Sequence, residues 1–402
     1  MILAHRIRLV PTPRQADYFL RACGTTRFVW NEALRRWKDA YEAGEKPSGR
    51  KLKKAFNADK YERWPWLREV HRDAHARPFD DLQAAFANFF RRVKTGAGKV
   101  GYPKFKKKGK AGDSFYVAND KLAFDGRRIR LPKVGWIKLR EALRFDGKVV
   151  GATISRTADR WHVSVQVDVG ERRKERTSDF TVGVDLGIKA SATLSTGEVV
   201  EGPKALDRNI KKLRRLSRRH SRKEKGSRGR RKSAVRLARL HARIADVRSD
   251  WTHKLSTRLC RENQAVGIED LNVNGMVHNR KLARRIVDEG WGQLRWQLGY
   301  KAPMYGTDVV IHDRWFPSSK TCSGCGVVKD SLPLSERVFC CDACGLILDR
   351  DHNSAINLRP VARGTGELTP VEIAALARAS ALVKLRSWKP ESSGCSPERV
   401  AV

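Results

Sequence analysis

Two cysteine knuckles limit the folding of this chain more than any other feature: Cys322-Ser-Gly-Cys325-Gly and Cys341-Asp-Ala-Cys344-Gly. Two thiolates at this spacing reach one ion, and two such turns complete its tetrahedron, so the pattern predicts a structural Zn²⁺ site. The glycine after each pair frees the tight turn from a Cβ clash. Cys340 adjoins the second pair and could substitute, but the glycine spacing favours Cys341. With all four positions filled by protein, no position remains for an attacking water, so any catalysis must lie elsewhere. Cys23, Cys260 and Cys395 read as inert thiols.

The second constraint is charge. The 402 residues carry 83 Lys plus Arg against 44 Asp plus Glu, a net charge of +39. A compact state this basic repels itself unless a polyanion neutralises it, and nucleic acid is the expected one. No apolar run reaches the roughly 18 residues a membrane span requires. The opening Met1-Ile2-Leu3-Ala4-His5-Arg6 turns polar at once, unlike a secretory signal, so a cytoplasmic location is expected. The length predicts two or three modules.

Residues 3–10 alternate as one strand, stopped by Pro11 and Pro13. From Arg14 to Ala43 apolar residues recur at helical spacing, with Gly24 as an expected break between two helices. Phe79, Leu82, Phe86, Phe89 and Val93 mark one face of another helix, read as core. Residues 99–110 interleave aromatics with Lys104, Lys106, Lys107 and Lys108; this suits phosphate contact with stacking, and equally a solvated linker. Short β-like runs over 114–170 predict a small β-barrel closed by the first strand.

Phe180-Thr-Val-Gly-Val-Asp185 then starts a buried-looking strand ending in a carboxylate, followed by a hairpin with its turn at Thr196-Gly197. Two basic helices are expected between Leu206 and Cys260, around a loop at Gly226 and Gly229. Lys211, Lys212, Arg214, Arg215, Arg218 and Arg219 crowd a run almost free of acids, which favours backbone contact with nucleic acid over a merely solvated face. Ala265-Val-Gly-Ile-Glu269 is a second strand ending in an acid, a helix over 290–305 follows, and Val309-Val-Ile-His312 is a third strand, which together indicate an α/β sheet. A capping box at Thr369-Pro-Val-Glu372 opens a helix to about Leu385, before a loose tail.

The candidate catalytic groups are Asp185, Glu269 and Asp351, acids at element ends. Hard cations such as Mg²⁺ take oxygen ligands, and two ions about 4 Å apart can stabilise both oxygens of phosphodiester exchange. Each acid has a plainer reading: an Asx turn for Asp185, an arginine partner for Glu269, and a helix cap for Asp349 or Asp351. His71 and His75 have the i, i+4 spacing of a zinc helix, but the intervening Arg-Asp-Ala lacks the catalytic glutamate of that motif.

Val182-Gly-Val-Asp-Leu-Gly-Ile-Lys189, Gly267-Ile-Glu-Asp-Leu271, Phe316-Pro-Ser-Ser-Lys-Thr-Cys-Ser-Gly-Cys-Gly326 and Asp349-Arg-Asp-His-Asn-Ser-Ala-Ile-Asn357 together resemble TnpB, the insertion-sequence protein related to type V CRISPR effectors. Thr26-Arg-Phe-Val-Trp-Asn31, Asn88-Phe-Phe-Arg-Arg-Val-Lys94 and Gly101-Tyr-Pro-Lys-Phe-Lys-Lys-Lys108 extend the likeness over nearly the whole chain. The resemblance implies an RNase H-like (RuvC) nuclease in three parts, the first two within 178–315 and the third at 349–362, interrupted by a zinc ribbon at 316–348. Before it would come a wedge β-barrel, 1–10 and 105–177, holding a helical recognition region, 11–104; residues 363–402 form a C-terminal helix and tail. It places the acid triad on Asp185, Glu269 and Asp351, the last preferred over Asp349 because it directly precedes His-Asn-Ser-Ala. Ser354 stands where the family's pattern has alanine. A guide RNA from the transposon end, a target DNA read next to a short motif, Mg²⁺ or Mn²⁺ at the acids and a monomeric protein with one RNA are the implied cofactors and partners. A repressor that has lost cleavage, or an accessory transposition protein, would share the zinc and the basic surface, but the intact acids favour cleavage. A strand-joining transposase is disfavoured, since no histidine-hydrophobic-histidine motif with a catalytic tyrosine is present.

Overall fold

The computed structural model describes residues 1–96, 100–171, 178–333 and 335–360. Lys99, the C-terminal helix expected over 369–385 and Cys395 lie outside them. The chain divides into two compact units, Met1–Arg172 and Arg173–Val402.

The first unit opens with β1 (Ile2–Val10), whose alternation buries Ile7 and Leu9. Pro13 ends the strand and starts α1 (Pro13–Glu42) through a capping box, Gln15 N–H to Thr12 Oγ1 at 3.3 Å and Thr12 N–H to Gln15 Oε1 at 3.0 Å. The expected break at Gly24 does not occur: α1 runs straight through it, because packing of Phe19, Ala22, Cys23 and Val29 outweighs the roughly 1 kcal/mol that a helical glycine costs. Next come α2 (Gly49–Arg63) and α3 (Asp73–Thr95). Pro78 sits inside α3 and leaves the Ala74 carbonyl without its helical donor; Thr26 Oγ1 of α1 supplies one at 3.1 Å. Phe79, Leu82 and Phe86 are buried as expected, with Phe86 stacked on Trp37 at 4.1 Å, whereas Val93 at the end of the stripe is exposed.

The strands β2 (Ser114–Ala118), β3 (Ala123–Asp125), β4 (Arg128–Leu131), β5 (Gly135–Leu139), β6 (Lys148–Thr157) and β7 (Arg160–Asp168) join β1 in one antiparallel sheet of order β2-β6-β7-β1-β5-β4-β3. The first strand is thus the centre of this sheet instead of its closing member, and β2 and β3 are its edges. Its long register with β7, from Ile2↔Asp168 to Leu9↔Trp161, decides this, since a slip of one residue would turn Ile7 and Leu9 to solvent.

The second unit is built on β8 (Thr181–Asp185), β9 (Ala192–Leu194), β10 (Val199–Val200), β11 (Ala265–Glu269) and β12 (Asp308–His312), in the order β10-β9-β8-β11-β12. The hairpin strands are antiparallel; β8, β11 and β12 are parallel. The crossover from β8 to β11 carries α4 (Ala205–Ser221) and α5 (Arg228–Glu262). Gly226 lies between them as expected, but Gly229 falls in the first turn of α5, because Ser227 is the cap and accepts from Arg230 N–H at 3.1 Å. The return to β12 carries α6 (Val273–Met276), α7 (Ala283–Glu289) and α8 (Trp291–Tyr305), and α5 and α8 bury Leu255, Leu259, Leu294 and Leu298 with the sheet. A small hairpin, β13 (Val338–Cys340) and β14 (Ile347–Asp349), leads into α9 (Arg350–Asn357).

Candidate active site and metal centre

Parallel pairing of β8 with β11 sets Gly183 against Gly267 and Val184 against Ile268, so the next residues, Asp185 and Glu269, end neighbouring strands side by side. The glycines admit the third element. A Cβ on Gly183 would lie 1.9 Å from the Ala355 carbonyl oxygen, and one on Gly267 1.7 Å from that of Leu358. Only bare backbone at both positions lets α9 lie against the strand ends, and α9 carries Asp351.

The start of α9 separates its two aspartates. Asp349 is the N-cap and accepts from Asp351 N–H at 2.9 Å and His352 N–H at 3.1 Å. Asp351 is free of the cap, pairs with Arg337 at 3.6 Å and lies near enough for its charge to act on Asp185. Arginines near Glu269 are engaged by Asp270 instead.

Two serines, Ser354, noted in the sequence only as a departure from the family's alanine, and Ser318, tie Asp185 to Glu269. Ser354 Oγ lies 3.0 Å from Asp185 Oδ1 and 3.0 Å from Ser318 Oγ, and Ser318 Oγ lies 2.5 Å from Glu269 Oε1. Ser354 Oγ–H donates to Asp185 and Ser318 Oγ–H to Glu269, and a donated bond of this kind favours the ionised carboxylate. Burial, followed by the nearby charges of Glu269 and Asp351, pushes the Asp185 carboxyl up to about 7, against the opposing bond from Ser354. The available signal was position: Ser354 is three residues beyond Asp351 on one helical face, and Ser318 precedes the first knuckle.

The four knuckle cysteines meet as expected. Their Sγ atoms all lie within 4.8 Å of one another, with Cys322–Cys344 at 3.6 Å and Cys325–Cys341 at 3.5 Å. Zinc–sulfur bonds of about 2.3 Å in a tetrahedron require sulfurs roughly 3.8 Å apart, so the donor set fits Zn²⁺. Burial pushes the Cys325 thiol up to about 12; Cys341, against the same burial, is drawn down to about 7 by the N–H groups of Cys344 and Ala343. Cys23 and Cys260 are buried and pushed up to about 12 and about 11, as inert thiols should be. His71 is consumed by Tyr18 OH and the Tyr116 carbonyl, both at 2.9 Å, which leaves no zinc helix.

Among the basic candidates, Lys211, Lys212, Arg214, Arg215, Arg218 and Arg219 are all exposed on α4, as are Lys104, Lys107 and Lys108. Lys106 departs from expectation. Its Nζ sits 3.7 Å above the Trp30 ring, its backbone is held on both sides by Asn31, and burial lowers its proton affinity, so it anchors the segment.

The second unit thus combines an α/β sheet with acids at its parallel strand ends, a cluster of four cysteines and a strongly basic helix. Residues 162–280 match the family described as "Probable transposase", residues 291–358 the "Cas12f1-like, TNB domain" and residues 1–46 a helix-turn-helix domain of the same transposon group. The chain is 38% identical to a Streptomyces pristinaespiralis protein named "Putative RNA-guided DNA endonuclease", over 88% of each chain. It is 32% identical to the Escherichia coli (strain K12) protein InsQ, of the same description, over 88% of this chain and 91% of that one. A solved Cas12f1-sgRNA-target DNA complex shares the fold at TM-score 0.54 and 14% identity, covering 87% of this chain and 83% of its own. The chain belongs to the TnpB family.

Proposed function

We propose that the protein is an RNA-guided DNA endonuclease that hydrolyses phosphodiester bonds with Asp185, Glu269 and Asp351 as the acids that hold divalent cations. Relatives so named at 32–38% identity support the activity. The observation that carries the residue assignment is the approach of α9 to the ends of β8 and β11, with Glu269 and Asp351 close enough to raise the proton affinity of Asp185. The donor set is all oxygen, which fits Mg²⁺ or Mn²⁺. When bound, such a pair stabilises the attacking and leaving oxygens of the displacement. Ser354 and Ser318 orient the carboxylates, and the exposed cations of α4 grip the nucleic-acid backbone without reading sequence, which is left to guide pairing.

Three antiparallel strands followed by two parallel ones support the finer reading of the second unit as RNase H-like (RuvC), spanning 178–315 and 349–362 around a zinc ribbon at 316–348. In the first unit, the seven-stranded sheet suits a wedge (1–10 and 105–177) and the helices between suit a recognition region (11–104). The test is Asp185→Ala and Glu269→Ala in the guide-loaded complex. Cleavage should fall by at least a thousandfold while guide and target binding persist; an alanine variant that cuts at the normal rate refutes the assignment.

A further inference from the structure

The helix that carries Asp351 is held on two flanks. On one, the buried amides of Asn353 and Asn357 bond the loop that leads into the first cysteine knuckle. On the other, His352 Nε2 donates to the Ser195 carbonyl at 3.3 Å, and its ring lies against the turn of the β9–β10 hairpin, where a Cβ on Gly197 would meet His352 Cε1 at 3.5 Å. Ser195 is itself clamped to β8: its N–H donates to the Gly183 carbonyl at 2.9 Å, and its Oγ accepts from Gly183 N–H at 3.0 Å. Thr193, two residues before it, pairs with Asp185 across the two strands. A hold on Ser195 is therefore a hold on the strand that ends in Asp185.

At about 100° per residue, Asp351, Ser354 and Leu358 share one stripe of α9, with Asn353 and Asn357 on one side of it and His352 on the other. Amides along a single flank leave the helix free to roll about that line. A side-chain end lies roughly 5–6 Å from the axis, so a roll of about 20° moves it by about 2 Å, whereas a metal site requires its ligands within about 0.5 Å. The bond from Ser354 ends on the movable carboxylate of Asp185, while that from His352 ends on backbone. We propose that His352 is a positioning residue: its bond to the Ser195 carbonyl sets the roll of α9, and so brings Asp351 and Asp185 to the separation at which they hold a divalent cation together. The inference rests on the nuclease reading and deepens it.

The test compares His352→Ala with His352→Gln in the guide-loaded complex; alanine removes the donor, and glutamine returns an amide N–H close to where Nε2 stood. In His352→Ala the Mg²⁺ concentration for half-maximal cleavage should rise roughly tenfold, with guide and target affinity unchanged within about twofold. His352→Gln should bring it back to within about twofold of the natural chain. Mn²⁺ held at the acids should weaken and recover in parallel, read by electron paramagnetic resonance titration as the difference between each variant and the same variant carrying Asp185→Ala. A histidine that only supports the fold would lower the melting temperature and leave the cation dependence as it was; that result overturns the proposal, and so does a glutamine variant that behaves like alanine. Failure of the underlying reading looks different: Asp185→Ala alone would still cut.

Discussion

The side-chain carbonyl of Asn353 accepts a 3.0 Å hydrogen bond from the backbone N–H of Ser323, a residue inside the first cysteine knuckle. The same amide donates to the Thr321 carbonyl at 2.8 Å, and Asn357 donates to Thr321 and Ser318 at 2.6 and 2.8 Å. The helix with Asp351 and Ser354 and the loop with Cys322 and Ser318 are therefore one hydrogen-bonded piece, so an ion held by the four cysteines would also fix the place of Ser318 and Ser354 beside Glu269 and Asp185.

Zinc removal should for that reason cost activity as well as stability. Cys322→Ser, or chelation, is expected to release about one Zn²⁺ per chain, lower the melting temperature and reduce cleavage at least tenfold at saturating Mg²⁺. Metal analysis, thermal melts and cleavage rates on one sample check this; full cleavage by a zinc-free protein would contradict the coupling.

Ser354→Ala removes the donor that favours the ionised form of Asp185. The carboxyl already sits at about 7, so losing the bond moves its titration further up, and divalent cations need the ionised form. The acid limb of the cleavage pH profile should shift to higher pH, with a roughly threefold to tenfold loss at pH 7 for a hydrogen bond of about 1 kcal/mol. A pH–rate profile that superimposes on that of the natural chain would remove Ser354 from the site.

Gly183→Ala and Gly24→Ala should have opposite signs. At Gly183 the added methyl meets backbone at 1.9 Å and must lift α9, an overpacking that costs about 2–3 kcal/mol and takes cleavage with it. At Gly24 nothing lies within 4 Å of the new carbon, and alanine in a continuous helix should stabilise by about 0.5–1 kcal/mol. Urea midpoints of the two variants decide the matter.

Binding should fall steeply with salt, by roughly a thousandfold between 50 and 200 mM for six phosphate contacts. Replacing Arg214, Arg215, Arg218 and Arg219 by serine should flatten the logarithmic salt slope by about three to four and weaken all targets alike. An unchanged slope would mean that α4 faces water.

Much of this protein is local chemistry, and local chemistry is legible in a sequence. Two residues between cysteines set the reach of two thiolates to one ion, alternation placed Ile7 and Leu9 inward, and apolar spacing marked α8 and α3. Tertiary structure decided what depends on residues far apart in the chain. Gly183 and Gly267 matter only because α9, more than eighty residues away, lies on them; Asp349 became a cap and Asp351 stayed clear of it through the turn that α9 takes. Lys106 changed from a surface cation to an anchor when Trp30 packed beneath it, and Pro78 was tolerated within α3 because Thr26 supplied the missing donor. Spacing determines which neighbours along the chain can act together; which distant side chains meet depends on packing, and packing belongs to the whole fold.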